Sequence, residues 1–164
     1  MSPSPAGAVI SACGCYRYAL WRRWGQSPKE LLVVGLNPSR ADGTVDDPTL
    51  RRCLGYARAW GFSGLRLANL FAWRSSDPAA LHRVPDPVGP EADPWLARLA
   101  DGAALVLAAW GNGGRLRGRS QVVRPRLPLV QVLRLTRLGE PAHPLYLPAA
   151  LRPQPWPPPS PSPE

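Results

Sequence analysis

A chain of 164 residues, 45% of them hydrophobic, is long enough for one folded domain with a real core. Its formal charge of +9 and pI near 10.7, with Lys29 the one basic residue that is not Arg, describe a field that attracts polyanions and side chains that grip phosphate with two donors. No stretch approaches ~18 uninterrupted apolar residues and no charged leader precedes a long apolar run, so neither a membrane span nor a secretory signal is expected, and the cytoplasm is the expected location. The Arg excess, accompanied by abundant Ala, Gly and Pro, is also what a GC-rich coding sequence produces.

The opening stretch, MSPSPAGA, reads as loose, and residues 1–12 are expected to be flexible. At 15–25, CYRYALWRRWG alternates large apolar residues with Arg, the pattern of an edge strand or a short helix. ELLVVG at 30–35 is a continuous apolar run, expected of a strand covered on both faces. DPTLRRCLGYARAWG at 47–61 predicts a helix: Asp47 is a good N-cap, Pro48 suits the first helical position, and Gly61 follows the end. Its apolar stripe is Leu50, Cys53, Leu54, Ala57 and Trp60.

GLRLANLFAW at 64–73 predicts a second strand, DPAAL at 77–81 a helical turn, and ADPWLARLADGA at 92–103 a second helix opening on Asp-Pro. ALVLAAWG at 104–111 predicts a third strand, the Arg-rich 113–123 a short helix, and LPLVQVLRL at 127–135 a fourth strand. Residues 152–164 hold seven of the 22 Pro and are expected to be extended or disordered, leaving 13–150 as a single α/β domain. Strands alternating with helices imply a parallel sheet with right-handed crossovers. The fold class is therefore α/β, a three-layer sandwich around a mainly parallel four-stranded sheet.

Such sheets bind ligands at the carboxyl ends of their strands. The chain places Asn37-Pro38-Ser39 after the first of these strands, Asn69 after the second, Trp110-Gly111-Asn112 after the third, and His143-Pro144-Leu145-Tyr146 beyond the fourth. Each has an ordinary explanation as a turn or a cap, but the four together suggest a pocket. Asp42, Asp46 and Asp47 lie close by; Asp47 reads as a helix cap, whereas Asp42 has no capping role and is a candidate acid/base or Mg²⁺-facing group. Cys13, Cys15 and Cys53 are too few and wrongly spaced for a zinc knuckle or an iron–sulfur cluster, so no metal and no cofactor is expected.

The strings Y-R-Y-x-L, G-L-N-P-S-x-A-D, D-P-T-L-R-R-C, N-L-F-A-x-R-S, D-P-x-x-L, V-G-P-E-x-D, A-W-G and H-P-L-Y-L, over residues 13–148, resemble an uncharacterised bacterial family with a domain of unknown function. More distantly, the order of motifs is similar to that of uracil-DNA glycosylases. Gly35-Leu36-Asn37-Pro38-Ser39 resembles their water-handling motif, Asn69 their base-reading Asn, Trp110-Gly111 a later strand end, and His143-Pro144-Leu145-Tyr146 their His-bearing loop. Ser39 stands where the mismatch-specific branch has Gly, and Leu145-Tyr146 where a Ser is expected.

This second resemblance implies hydrolysis of an N-glycosidic bond in a nucleic acid or nucleotide. Asn37 would orient the attacking water, His143 would donate to the departing base, and Asn69 would pair with its edge. Pro38, Ser39, Trp110 and Tyr146 would line the base site, Phe71 or Trp73 would stack on the base, and Leu145 would act as a wedge when it flips out. Arg40, Arg115, Arg117 and Arg119 would neutralise phosphates. Two other readings stay open on the sequence: a binder of nucleic acid or nucleotides on the same scaffold, and a small-molecule enzyme using Asp42 and His143 as an acid/base pair.

Overall fold

Leu31, Leu32, Val33 and Val34 are all buried, as a strand at the middle of a covered sheet requires. The structure, a computed structural model, describes residues 4–157. Within them seven strands form one sheet: β1 (Ala6–Ile10), β2 (Arg17–Arg23), β3 (Glu30–Gly35), β4 (Gly64–Asn69), β5 (Leu105–Ala108), β6 (Gln131–Val132) and β7 (Gln154–Pro155). Their order is β1-β2-β4-β3-β5-β6-β7. The central four, β4-β3-β5-β6, run parallel, and β1, β2 and β7 pair antiparallel at the two sides.

The sheet is thus mixed and, at seven strands among the described residues, wider than the mainly parallel four-stranded one expected. The alternating segment at 15–25 does become a strand, but β1 covers its outer side, so it is not an edge. The N-terminal residues expected to be loose supply that cover. Gly7 makes it possible: a Cβ there would lie 2.3 Å from the Trp21 indole, whose N–H reaches back to the Ser4 carbonyl at 3.0 Å. At the other edge Gln154–Pro155 adds β7, where a Pro costs no ladder bond on its open side. Trp156 follows into the core, edge-on to Trp110 at 5.6 Å and under the Arg124 guanidinium at 3.8 Å. The remaining tail expected to be disordered, 158–164, lies outside the described residues.

Period-two alternation along β3 sends Leu31 and Val33 to one face and Leu32 and Val34 to the other. Helix α1 (Pro48–Ala59) docks Leu50, Cys53, Tyr56 and Ala57 on the first face. Of the expected stripe Leu50, Cys53 and Ala57 are buried, Leu54 and Trp60 are half-buried against the same cluster, and Tyr56 is an additional buried member. The ends of α1 follow the sequence: Asp47 Oδ1 accepts from the Leu50 N–H at 2.8 Å, and Gly61 and Phe62 donate to the Arg58 and Ala57 carbonyls.

Helices α2 (Ala92–Ala100) and α3 (Arg119–Val123) cover the opposite face with Leu96, Leu99 and Val123. The Asp-Pro of α2 does not open it. Asp93 sits inside the first turn and holds Arg119 and Arg126 instead. Of the strand expected at 127–135, only Gln131–Val132 joins the ladder. Among the described residues no helix is long and apolar enough to cross a membrane.

Candidate functional site

Strands β3, β4 and β5 end on the same side of the sheet, beside the start of α1, and a cleft of about 460 Å³ opens there. That is within the usual range for a small-molecule or nucleotide site. Residues 35–39 and Asn69 form one wall, Asp47, Pro48 and Thr49 a second, and residues 143–146 a third. Asn37, Pro38, Ser39, Asn69, His143, Leu145 and Tyr146, drawn from three distant parts of the sequence, therefore meet.

Backbone bonds set the first wall. The β3 exit is stitched to the chain after β4 by Leu70 N–H to Gly35, Phe71 N–H to Leu36 and Ser75 N–H to Pro38. The Asn37 amide nitrogen then donates to the Ser75 carbonyl at 3.0 Å and the Pro38 carbonyl at 3.3 Å. With its nitrogen committed, Asn37 keeps its Oδ1 as an acceptor that no described residue uses. Asn69 is arranged the opposite way. Its Oδ1 accepts from the Arg17 guanidinium at 3.3 Å, which leaves its Nδ2 as the free donor.

His143 precedes a single 3-10 turn, Pro144–Tyr146, and its Nδ1 accepts from the Leu145 N–H at 3.2 Å. That bond requires an unprotonated Nδ1 and places the imidazole proton on Nε2. Burial pushes the His143 pKa below its ordinary 6.5, with Asp47 opposing in part. The ring is therefore a neutral donor near pH 7. Gly111 leaves room for it: with φ at +69°, a conformation that favours glycine, it turns the chain after β5 and lies against the His143 Cβ.

Several residues expected at the site are elsewhere. Trp110 is 1% exposed in the core on the α2/α3 face, where its N–H meets Glu140 at 2.8 Å, so it cannot touch a ligand in the cleft. Phe71 is fully buried in the same core. Trp73 packs edge-on against Tyr16 at 5.6 Å and is not part of the cleft wall. Arg119 is buried and holds Asp93 and the Leu70 carbonyl, which takes it away from any phosphate. Arg117 donates to the Val84 and Pro85 carbonyls; Arg115 is exposed, and neither lines the cleft. Arg40 is exposed directly after Ser39.

Asp42 also departs from expectation. Its Oδ1 accepts from the Thr44 and Val45 N–H groups at 2.9 and 2.8 Å, bonds that hold its pKa below the usual carboxylate value. It is absent from the cleft wall, so an Asp42–His143 acid/base pair is not formed. Asp46 pairs with Arg22 at 2.9 Å. Asp42 and Asp46 organise a loop, and of the three acidic residues Asp47 alone lines the cleft.

Sequence reasoning missed Arg17, Thr49, Cys53, Ser75 and Ser76, and saw Asp47 only as a cap. The one signal was an Arg between two Tyr in a strand, Tyr16-Arg17-Tyr18, where a buried arginine is costly without a purpose. Burial pushes the Cys53 thiol up to about 12, so at the cleft wall it is an uncharged apolar group. Asp47 ties the wall to α1: besides Leu50 it accepts from the Ser39 hydroxyl at 3.3 Å and the Ala41 N–H at 3.4 Å. Asp47→Ala is expected to lower stability by about 1–2 kcal/mol, and Asp47→Asn by less, in denaturant titrations.

The family described as "Protein of unknown function (DUF1643)" matches residues 17–145. The chain belongs to that family. The matched span starts at Arg17 and contains every cleft residue except Tyr146, so the cleft lies within the family domain. Comparison with curated proteins and with solved structures found no match.

Proposed function

We propose that this member of the DUF1643 family processes a nucleobase or nucleotide, hydrolysing the bond between a base and its sugar as uracil-DNA glycosylases do. One observation carries the reading: Asn37, with an unused acceptor at Oδ1, and His143, a neutral donor through Nε2–H, line the same cleft. The bond from sugar C1′ to the base nitrogen breaks with its electron pair going to the base, and water adds to C1′. Asn37 accepts a hydrogen bond from that water and orients it. His143 and Asn69 donate to carbonyl oxygens of the departing base, where negative charge develops. Leu145 and the 87%-exposed Tyr146, two and three residues after His143, would fill the gap left by a flipped base.

A second reading, recognition without cleavage, is favoured by the carboxylates. Asp42, Asp46 and Asp47 are each committed to loop or helix bonds, which leaves no free carboxylate in the cleft as a general base.

Labelled oligonucleotides carrying uracil, G·U, G·T, hypoxanthine or alkylated bases, single- and double-stranded, separate the two. Alkali-sensitive strand breaks that vanish in Asn37→Ala are the expected result. Salt-sensitive retention without breaks supports the binder. The absence of both rejects a nucleic-acid substrate.

A further inference from the structure

Arg17 is 2% exposed, yet it is one of the residues that line the cleft. It donates to the Ala41 carbonyl at 2.9 Å and to Asn69 Oδ1 at 3.3 Å, both neutral acceptors. None of the ion pairs among the described residues involves it. The guanidinium carries more N–H donors than these acceptors use. Asp47 and Asp42 favour its charge from beyond ion-pair range, while Arg74 and Arg22 oppose it. Asp47 is also engaged at the start of α1. Desolvation lowers the Arg17 pKa to about 10, so the group stays charged at neutral pH. A buried cation without a paired anion is costly to keep. At the wall of a cleft, a ligand can supply the missing counter-charge.

We propose that the Arg17 end of the cleft is an anion-accepting subsite, with Arg17 and the Asn69 Nδ2 group as donors and the oxo group of an anionic nucleobase as ligand. The proposal rests on the glycosidic reading of the cleft. When the bond from C1′ to nitrogen breaks, the electron pair leaves with the base, and the resulting charge spreads from the ring nitrogen to the ring carbonyl oxygens. The attacking water contributes its oxygen to C1′, and the proton it loses neutralises the base on release. A guanidinium fixed before the reaction needs no reorganisation to meet that charge. The bond from Arg17 to Asn69 Oδ1 has a second effect, because it turns the amide so that only donors face the ligand. Oxo-bearing edges are thereby accepted, and amino-bearing edges would place N–H against N–H.

Calorimetric titration of the full chain at pH 7 with uracil, with barbiturate and with inorganic phosphate tests this. Barbiturate has the uracil ring with one more oxygen and is ionised at neutral pH. It is expected to bind about tenfold more tightly than uracil. Arg17→Met should abolish that preference and Arg17→Lys should retain part of it. Millimolar phosphate should not displace barbiturate. Circular dichroism checks the variants; if Arg17→Met does not fold, the unaltered chain and Arg17→Lys still decide. Equal affinity for the two rings, or a preference unchanged in Arg17→Met, overturns the subsite. Displacement by phosphate overturns the base assignment in favour of a phosphoryl group. Base release from oligonucleotides without a preference for barbiturate would reject the subsite and leave the glycosidic reading standing. Binding of neither ring, with no base release, rejects both.

Discussion

His143→Ala is expected to reduce base release about 10²–10³-fold, the usual cost of losing one preorganised donor to a developing oxyanion. One bond sets the donor's state: the Leu145 N–H at 3.2 Å from Nδ1 selects the tautomer with its proton on Nε2. His143→Gln retains a donor of shorter reach and should recover part of the loss. The pH profile supplies a further check. Protonating the ring converts Nδ1 to a donor, sets it against the Leu145 N–H and disturbs the turn carrying Leu145 and Tyr146. The folded pKa is depressed below 6.5 by burial. Base release should thus be level above pH 6.5 and fall as pH drops through that lower value. Stability has the same sign. Below 6.5 the unfolded chain takes the proton first, so stability present above that pH is lost as pH falls through the folded pKa. A histidine signal titrating at or above 6.5 by NMR and assigned to His143 would contradict this arrangement.

Trp110→Ala is expected to lower unfolding free energy by about 3–5 kcal/mol through the cavity it leaves in the core. The motif position suggests a ligand contact, but the indole is buried against Trp156 and its N–H is bonded to Glu140. Glu140 Oε2 also accepts from the Ser120 hydroxyl at 2.8 Å, so truncation removes one of two donors to a carboxylate that joins the chain after β6 to α3. Denaturant midpoints should fall in Trp110→Ala, with ligand affinity of the protein that stays folded nearly unchanged. A variant of unaltered stability but weakened binding would return Trp110 to the site. Gly111, its neighbour, is the half of the Trp-Gly pair that borders His143.

Local grammar was readable where one short segment carried all of the information. The short apolar run at 31–34 fits a strand covered on both faces, and Asp47-Pro48 with Gly61 marks both ends of α1, because caps act on groups a few residues away. The same logic failed at Asp93-Pro94, where Arg119 and Arg126 compete for the carboxylate from α3 and the turn after it. It failed again at the chain ends. Residues 6–10 and 154–155 have weak strand propensity and become strands because β2 and β6 offer open edges.

By itself the sequence determined the α/β class, the parallel centre of the sheet and the loops that carry Asn37, Asn69 and His143. These follow from hydrophobic period and turn chemistry, which are local, and from the rule that parallel strands present their carboxyl ends together. Only the tertiary structure decided which side chains face the cleft. Alternation along a strand assigns residues to two faces without saying which face meets the ligand, and so Trp110 and Phe71 went to the far core while Arg17 came to the near wall. The polarity of the cleft was likewise a tertiary matter. An Asn can present either end of its amide and a His either tautomer, and the partners that settled them, Ser75, Arg17 and the Leu145 N–H, act through bonds that form only once the chain has folded.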